Sequence, residues 1–131
     1  MKHLSCAEFQ ATVGEYTIRH RSILDILSKT QEAAARLNRA VTKAVTGCGC
    51  VQINATKQAL PSDISLRDWR HYVDTHLQGS LCEDCRDIVE TEMGRLLFYL
   101  AALANTLGLS LEQVMAKEKG RITTLNIFNF T

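Results

Sequence analysis

Four cysteines in two close pairs are the residues whose types and spacing most directly predict chemistry in this chain. Cys48 and Cys50 lie in the run TGCGC, and Cys82 and Cys85 lie in the run LCEDC. Two thiolates separated by one or two residues can be aimed at a single ion, and a second such pair completes a tetrahedron. The spacing therefore predicts a four-cysteine metal site, with zinc as the expected ion.

The cysteine pattern leaves other assignments open. The same residues could form one or two disulfides, remain unliganded thiols, or act as a redox or metal sensor. If zinc is bound, four thiolates fill its coordination sphere and leave no position for a water, which is typical of a structural site rather than a catalytic one. His71 and His76 lie between the pairs, but four thiols suffice, so we expect both histidines at the surface or in packing.

Length and composition indicate one ordinary globular domain. The chain has 131 residues, 46% of them hydrophobic and 22% charged, with a net charge of +1. The near-neutral charge argues against a nucleic-acid surface, and no apolar run approaches the roughly 20 residues of a membrane span. The start, MKHLSCAEFQ, lacks the apolar segment of a signal peptide. We therefore expect a cytoplasmic protein, where thiols stay reduced, with no nucleic-acid or membrane partner.

Apolar residues at three- and four-residue steps predict two long helices that position the cysteines. A first helix, capped by Ser5 with Glu8, is expected to bend near Gly14 into a long helix running from Arg19 to about Val45. Gly47 should end that helix. The second long helix should begin near Glu83, directly after the second cysteine pair, and the predicted ion would staple the two helices together.

The remaining segments complete the predicted architecture. Gly108 should stop the second long helix, and Ser110 with Gln113 should cap a last one. We expect a short extended piece at Val51 to Ile53, a short helix capped at Ser65 and reaching Leu77, and an apolar tail whose Ile127, Phe128 and Phe130 dock on the bundle or on a second copy. The sum is an all-α bundle in a single domain, residues 1–131, with a metal-binding insertion at residues 47–86.

The second long helix resembles that of a known family. The run VETEMGRLLFYLAALANTLGLSLEQV is similar to the MazG family of all-α nucleotide pyrophosphohydrolases, in which an acidic pair, a glycine and an aspartate precede LLFYL and a helix break is followed by SLEE. The resemblance covers Glu92 to Val114 well and extends more weakly to Gln31 through Val45. It implies a MazG-like antiparallel helix bundle, with the insertion between its two long helices, that forms a homo-oligomer, a dimer or higher.

The resemblance also implies a specific metal chemistry, from which this sequence departs. In the family, EExxE on one helix and ExxD on the next hold Mg²⁺, which orients a nucleoside triphosphate for cleavage between its α and β phosphates. Here the first motif becomes Gln31 and Glu32 followed by three alanines, and the second begins at Glu92 and ends at Arg95. Each helix keeps one glutamate. Arg95 brings a positive charge to the place of a divalent ion, which it repels.

The lengths of the two helices predict a geometric mismatch between these motifs. Cys48 lies sixteen residues after Glu32, whereas Cys85 lies seven residues before Glu92. At about 1.5 Å per residue, the difference is roughly 13 Å. Either the first long helix ends several residues before Cys48, or the two glutamates do not face each other.

These observations predict a zinc-stabilised MazG-like protein that acts by binding or assembly rather than catalysis, with a nucleotide as a candidate ligand. The degenerate magnesium site consists of Gln31, Glu32, Glu92 and Arg95. The alternative is an active Mg²⁺-dependent nucleoside triphosphate pyrophosphohydrolase, with Glu32 and Glu92 as its catalytic candidates. Mg²⁺ would be a cofactor only in that case.

Overall fold

The computed structural model describes residues 3–125, and the predicted docking of Ile127, Phe128 and Phe130 lies outside this range. The chain is mostly helical and carries one small two-stranded sheet. The elements in chain order are α1 (Cys6–Tyr16), α2 (Ile23–Lys43), a single π-helical turn (Ala44–Cys48), β1 (Val51–Ile53), a 3-10 helix (Leu66–His71), β2 (Leu77–Gly79), α3 (Glu83–Leu107) and α4 (Leu111–Leu125).

Serine side chains cap three of the helices. The Ser5 hydroxyl accepts a hydrogen bond from the Glu8 backbone N–H at 3.0 Å, and the Ser110 hydroxyl accepts one from Gln113 at 3.3 Å. Ser22 does the same at the start of α2, at 3.3 Å from the Leu24 N–H. Each bond satisfies a donor that has no partner within its helix, so the predicted starts of α1 and α4 are confirmed.

The predicted bend at Gly14 is wrong. Helix α1 continues through Gly14 to Tyr16, and the chain turns between residues 17 and 22. The glycine is instead a packing position, because a Cβ atom there would lie 3.3 Å from Nδ2 of Asn105 on α3. Gln10, one turn earlier, donates to the Asn105 side chain at 2.9 Å, and the Asn105 amide donates back to the Gln10 carbonyl at 3.1 Å.

Helices α2 and α3 form an antiparallel pair, and α1 packs across α3 near its C-terminal end. The core lies where the three helices meet, and it is formed by one side chain from α1, one from α2 and two from α3. These residues are Val13, Ile26, Ala101 and Ala102, each at most 2% exposed. The small alanines of α3 allow the neighbouring helices to approach closely.

Replacing Ile26 by alanine should destabilise the helices strongly. Ile26 is 0% exposed and is the largest fully buried side chain among the described residues. Removing a buried isoleucine leaves a cavity and costs about 2–5 kcal/mol in the free energy of unfolding, which urea denaturation measures. Leu24→Ala is the matched control, because Leu24 lies on the same helix at 73% exposure and its loss should cost about 0.5 kcal/mol or less.

The segment between the long helices folds back as a hairpin. Strands β1 and β2 pair in antiparallel register, with Val51 opposite Gly79 and Ile53 opposite Leu77. The extended piece at β1 was predicted, but β2 was not. The predicted short helix is a 3-10 helix that ends at His71, and Leu77 lies in β2 rather than in that helix. The sheet, too short to be stable alone, positions the two cysteine pairs.

Helix α3 is less buried than its composition predicts. Its buried residues are Val89 and the three alanines at 101, 102 and 104. Five large apolar side chains of this helix are between 39% and 54% exposed, namely Ile88, Met93, Leu97, Leu100 and Leu107. Among the described elements, α2 and α1 are the ones that pack most on α3, and they leave part of its apolar surface exposed.

Within residues 3–125, no single helix is long and apolar enough to cross a membrane. Helices α3 and α4 reach that length and composition only as a pair, across a bend of 104°.

Candidate metal centre

The four cysteines of the two predicted pairs meet in one cluster. Their Sγ atoms all lie within 4.8 Å of one another, and those of Cys48 and Cys82 are 3.8 Å apart. Zinc binds thiolates at about 2.3 Å, and a tetrahedron of that size has edges of about 3.8 Å. The donor set and its spacing therefore fit a thiophilic ion.

The end of α2 positions the first pair. The regular helix ends at Lys43, and the π-helical turn carries the chain to Cys48. Gly47, which was expected to end the helix, lies inside this turn. The actual stop is Gly49, whose φ of 81° is left-handed and whose N–H donates to the Ala44 carbonyl at 2.8 Å. This tight reversal aims Cys48 and Cys50 at the same point.

The start of α3 positions the second pair. Cys82 is the N-cap residue, and its sulfur accepts a hydrogen bond from the Cys85 backbone N–H at 3.4 Å. The i to i+3 spacing places both thiols on one side of the first turn. Unpaired backbone N–H groups and the helix dipole at this end stabilise negative charge, so the position favours thiolate over thiol.

The hairpin holds the two pairs at a fixed separation. Gly79 on β2 packs so closely on the chain before β1 that an added Cβ would lie 2.6 Å from the Cys50 carbonyl oxygen. Further along the hairpin, the Gln58 amide bonds both the N–H and the carbonyl of Asp74 at 3.0 Å. Its Nε2 also lies 3.2 Å from Nε2 of His76, a residue with a φ of 60°. The close backbone approach at Gly79 and the hydrogen bonds of the Gln58 amide thus position the thiols.

The shared environment separates the pKa values of the thiols. The Cys85 backbone N–H, followed by the Cys85 thiol, lowers the pKa of Cys82 from 9.0 to about 7. The contact with Cys82, together with burial, raises the pKa of Cys85 to about 12. For Cys48 the Cys50 backbone N–H acts to lower the pKa, but the contacts with Cys82 and Cys50 and burial outweigh it and raise the pKa. The lowered pKa therefore favours a first thiolate at Cys82, and the raised pKa values disfavour a second one at Cys48 or Cys85.

Metal binding should release a number of protons that depends on pH. At pH 8 Cys82 is already mostly ionised, so zinc should displace about one proton fewer than it does at pH 6. As the pH falls through about 7, Cys82 becomes protonated and the number should rise towards four. Titration of metal-free protein with zinc, using a pH indicator in weakly buffered solution, counts these protons. A constant count across this range would contradict the assigned order of ionisation.

The remaining cysteine and the two histidines lie outside the cluster. All five cysteines are free, and the Cys6 thiol contacts the Met115 sulfur at 3.5 Å. His71 is exposed at the end of the 3-10 helix. Neither it nor His76 belongs to the group of potential ligands, which consists of the four cysteines alone within the described part of the chain.

Glu32, the acidic candidate on α2, forms ion pairs with two basic side chains of its own helix. Glu32 accepts from Lys29 at 3.3 Å and from Arg36 at 3.2 Å. These two bonds, Lys29 first, lower the pKa of the Glu32 carboxyl. Gln31 beside it is exposed. Glu32 is therefore an ionised, ion-paired carboxylate at the surface.

The acidic candidate on α3 is paired in the same way but is more buried. Oε1 of Glu92 accepts from Arg95 at 3.2 Å, and the Glu92 side chain is only 14% exposed. Its Oε2 is shielded from solvent and has no hydrogen-bond partner among the described residues. Glu90 points to solvent. A carboxylate oxygen that is shielded from water and receives no hydrogen bond costs free energy, so Glu92 is the acidic candidate with the least satisfied hydrogen bonding.

A groove of about 370 Å³ between α2 and α3 shows how the two motifs meet. Its walls bring Glu32 together with Arg95, and they do not include Glu92. The regular helix ends five residues before Cys48, as one of the two alternatives for the mismatch requires, and Glu32 and Arg95 line the same groove. The charged and aromatic lining consists of Lys29, Glu32, Arg36, Arg95 and Tyr99.

No family model, curated protein or solved structure matches this chain.

Proposed function

We propose that the chain is a zinc-stabilised helical protein of MazG-like type that acts by binding or assembly rather than by catalysis. The observation that carries the proposal is the cluster of four thiols, within 4.8 Å of one another, at the junction of two helix ends. Bound there, zinc would link α2 to α3 and hold the hairpin. A reducing cytoplasm would keep the thiols available for the ion.

The state of the acidic positions supports a non-catalytic role. A magnesium site needs oxygen ligands, usually one or two free carboxylates together with waters and substrate phosphates. Here Glu32 is held by Lys29 and Arg36, and Glu92 is held by Arg95. The groove that contains Glu32 is lined by three cationic side chains, and these repel a divalent cation. A nucleotide could still bind there through its phosphates, without hydrolysis.

One observation favours the alternative, a Mg²⁺-dependent nucleoside triphosphate pyrophosphohydrolase. Oε2 of Glu92 is shielded from solvent and has no hydrogen-bond partner in the described part of the chain, which is expected of a carboxylate oxygen that binds a ligand. In that reading Glu92 and Glu32 would hold the ion, and Arg95 would have to turn away from Glu92.

Pyrophosphate release separates the two readings. The protein should release no pyrophosphate above background from a panel of nucleoside triphosphates with Mg²⁺ or Mn²⁺. Glu92→Gln, which keeps the shape of the side chain and removes its charge, should behave as the wild type. Pyrophosphate release that the wild type shows and Glu92→Gln loses would establish the alternative. Glu90→Gln is the matched control, since Glu90 lies on the same helix and is exposed.

Cobalt substitution tests the metal centre itself. Co²⁺ bound by four thiolates in a tetrahedron gives intense visible and thiolate-to-metal absorption bands, whereas octahedral oxygen sites do not. We expect these bands on adding one equivalent of Co²⁺ to reduced metal-free protein, and their loss when Zn²⁺ is added. Their absence under reducing conditions would remove the proposed centre. Cys6→Ser should leave them unchanged, because Cys6 lies outside the cluster.

A further inference from the structure

The 3-10 helix in the hairpin arranges its side chains in ridges. Residues three apart lie one above the other, because a 3-10 helix has three residues per turn. Leu66 and Trp69 therefore share one side, and Tyr72 extends it, since its N–H donates to the Trp69 carbonyl at 2.9 Å. Arg67 and Arg70 share the neighbouring side. The helix thus carries an aromatic ridge, made of the first three residues, beside an arginine ridge made of the other two.

The aromatic ridge is open to solvent. Trp69 is 42% exposed and Tyr72 48%, and Val73 next to them is 41% exposed. No helix or strand in the described part of the chain packs extensively on the 3-10 helix. Tryptophan and tyrosine are among the side chains that contribute most to cores and interfaces. In this hairpin they serve no core, so their surface is available to another molecule.

The arginine ridge is free of internal carboxylates. Neither Arg67 nor Arg70 forms an ion pair within residues 3–125. Asp68, which lies between them in sequence, instead accepts a hydrogen bond from the Ser65 hydroxyl at 3.0 Å. It occupies the third side of the helix, about 120° from the arginine ridge. Both guanidinium groups can therefore donate paired hydrogen bonds to carboxylates of another molecule.

A pair of hydrogen bonds closes the loop that carries these ridges. Gln58 donates from Nε2 to the Asp74 carbonyl and accepts through Oε1 from the Asp74 N–H, both at 3.0 Å. The loop of residues 59–73 is thereby tied to the hairpin, whose strands β1 and β2 lead back to the metal centre. A surface held in this way loses less conformational entropy on binding than a free loop does.

The charge of the hairpin favours a protein partner over a nucleic acid or a membrane. With its histidines neutral, the segment 49–81 has no net charge, because it contains three basic and three acidic residues, namely Lys57, Arg67, Arg70, Asp63, Asp68 and Asp74. Phosphate-rich surfaces attract proteins through summed positive charge, which this segment lacks. Tryptophan, tyrosine and arginine are, in contrast, the residues most enriched at the energetic centres of protein interfaces.

We propose that the aromatic and arginine ridges of the hairpin bind an acidic segment of a partner protein. Trp69 and Tyr72 contact apolar side chains of that segment, and Arg67 and Arg70 bind its carboxylates. The inference rests on the proposed function, since it names the kind of partner for a protein that acts by binding. The metal centre enters only by ordering the hairpin and does not touch the partner.

Peptide selection on the zinc-loaded full chain tests the inference. A random peptide library displayed on phage should yield peptides in which Asp or Glu residues flank apolar ones. Trp69 is the only tryptophan of the chain, so its fluorescence reports directly on the aromatic ridge. Its emission should shift to shorter wavelength when a synthetic copy of a selected peptide binds, and titration of this shift gives the Kd.

Two substitutions that keep the fluorophore locate the binding surface. Arg70→Ala and Tyr72→Ala should each weaken peptide binding at least about tenfold, as expected of residues at the centre of an interface. Both side chains are exposed, so neither change should alter the helical circular dichroism or the zinc content. Lys57→Ala is the matched control, because Lys57 is an exposed cation of the same hairpin outside both ridges, and the Kd should stay unchanged.

Three results would overturn the inference in a chain that holds its zinc. The first is a selection that yields no acidic peptides, and the second is equal binding by the wild type and by both ridge variants. The third is a fluorescence shift with phosphatidylglycerol vesicles or oligothymidine but none with the peptides, which would assign the ridges to a lipid or nucleic-acid surface. A chain without zinc that still binds the peptides through the ridges would contradict the proposed metal centre and support this inference.

Discussion

Removing the metal should unfold the hairpin between the two cysteine pairs and leave the helices folded. Residues 49–81 have little core of their own: Ile53, Leu77, Trp69 and Tyr72 are between 42% and 62% exposed. Their two three-residue strands are too short to persist alone. Structural zinc sites contribute about 10–16 kcal/mol in small domains, so the ion would be the main source of order in this segment.

Limited proteolysis measures this effect. After chelation under reducing conditions, we expect cleavage within residues 54–76 to accelerate at least tenfold, while far-UV circular dichroism changes little. The helices should persist because their core, which includes Val13 and Ile26, lies away from the thiols. Cys82→Ser should resemble the chelated protein, and Cys6→Ser the untreated one. Equal protection with and without metal, or loss of all helical signal, would contradict the account.

Gly79→Ala should weaken metal binding far more than the same change at Gly49. The two glycines have almost the same φ, 82° and 81°, so an alanine carries the same left-handed strain of about 1–2 kcal/mol at either position. The two positions differ in the room available for a Cβ atom. A Cβ at Gly79 would lie 2.6 Å from the Cys50 carbonyl oxygen, and a Cβ at Gly49 would meet nothing within 4 Å.

The clash at Gly79 must displace either β2 or the backbone of the first cysteine pair. We expect an added cost of at least about 2 kcal/mol over Gly49→Ala, which corresponds to about 30-fold weaker zinc binding. Competition with a chromophoric chelator measures both affinities. Gly47→Ala should bind like the wild type, because its φ is not left-handed and the site is open. Equal losses at Gly79 and Gly49 would show that the close approach does not position the thiols.

The starts of α1 and α4 and the two close cysteine pairs could be predicted from the sequence because their causes are local. Ser5 and Ser110 cap through bonds within one turn, and the C-x-C and C-x-x-C spacings follow from short-range geometry. Strand β2 could not be predicted, because its three residues are extended only through pairing with β1. Gly14 misled for a related reason: its partner, Asn105, lies ninety-one residues away.

The exposure of α3 was also beyond the sequence. An apolar run such as LLFYLAALANTLGL reads as a buried helix whether it is covered by its own chain or by another one. Only the placement of α1 and α2 shows that Met93, Leu97 and Leu100 lie on an open side. For the acidic motif, the spacing of Lys29 and Arg36 from Glu32 favours pairing within α2, as observed. The sequence could not show that Glu92 keeps one oxygen without a partner among the described residues.

The most direct test of the account is to measure the zinc content of protein purified without added metal, by inductively coupled plasma mass spectrometry. We predict one zinc per chain in the wild type and in Cys6→Ser, and loss of zinc in Cys82→Ser. The Cys82 sulfur lies 3.8 Å from the Cys48 sulfur and caps α3, so its removal takes away one of the four ligands. A wild type free of zinc, or a Cys82→Ser variant that keeps its full zinc content, would contradict the account.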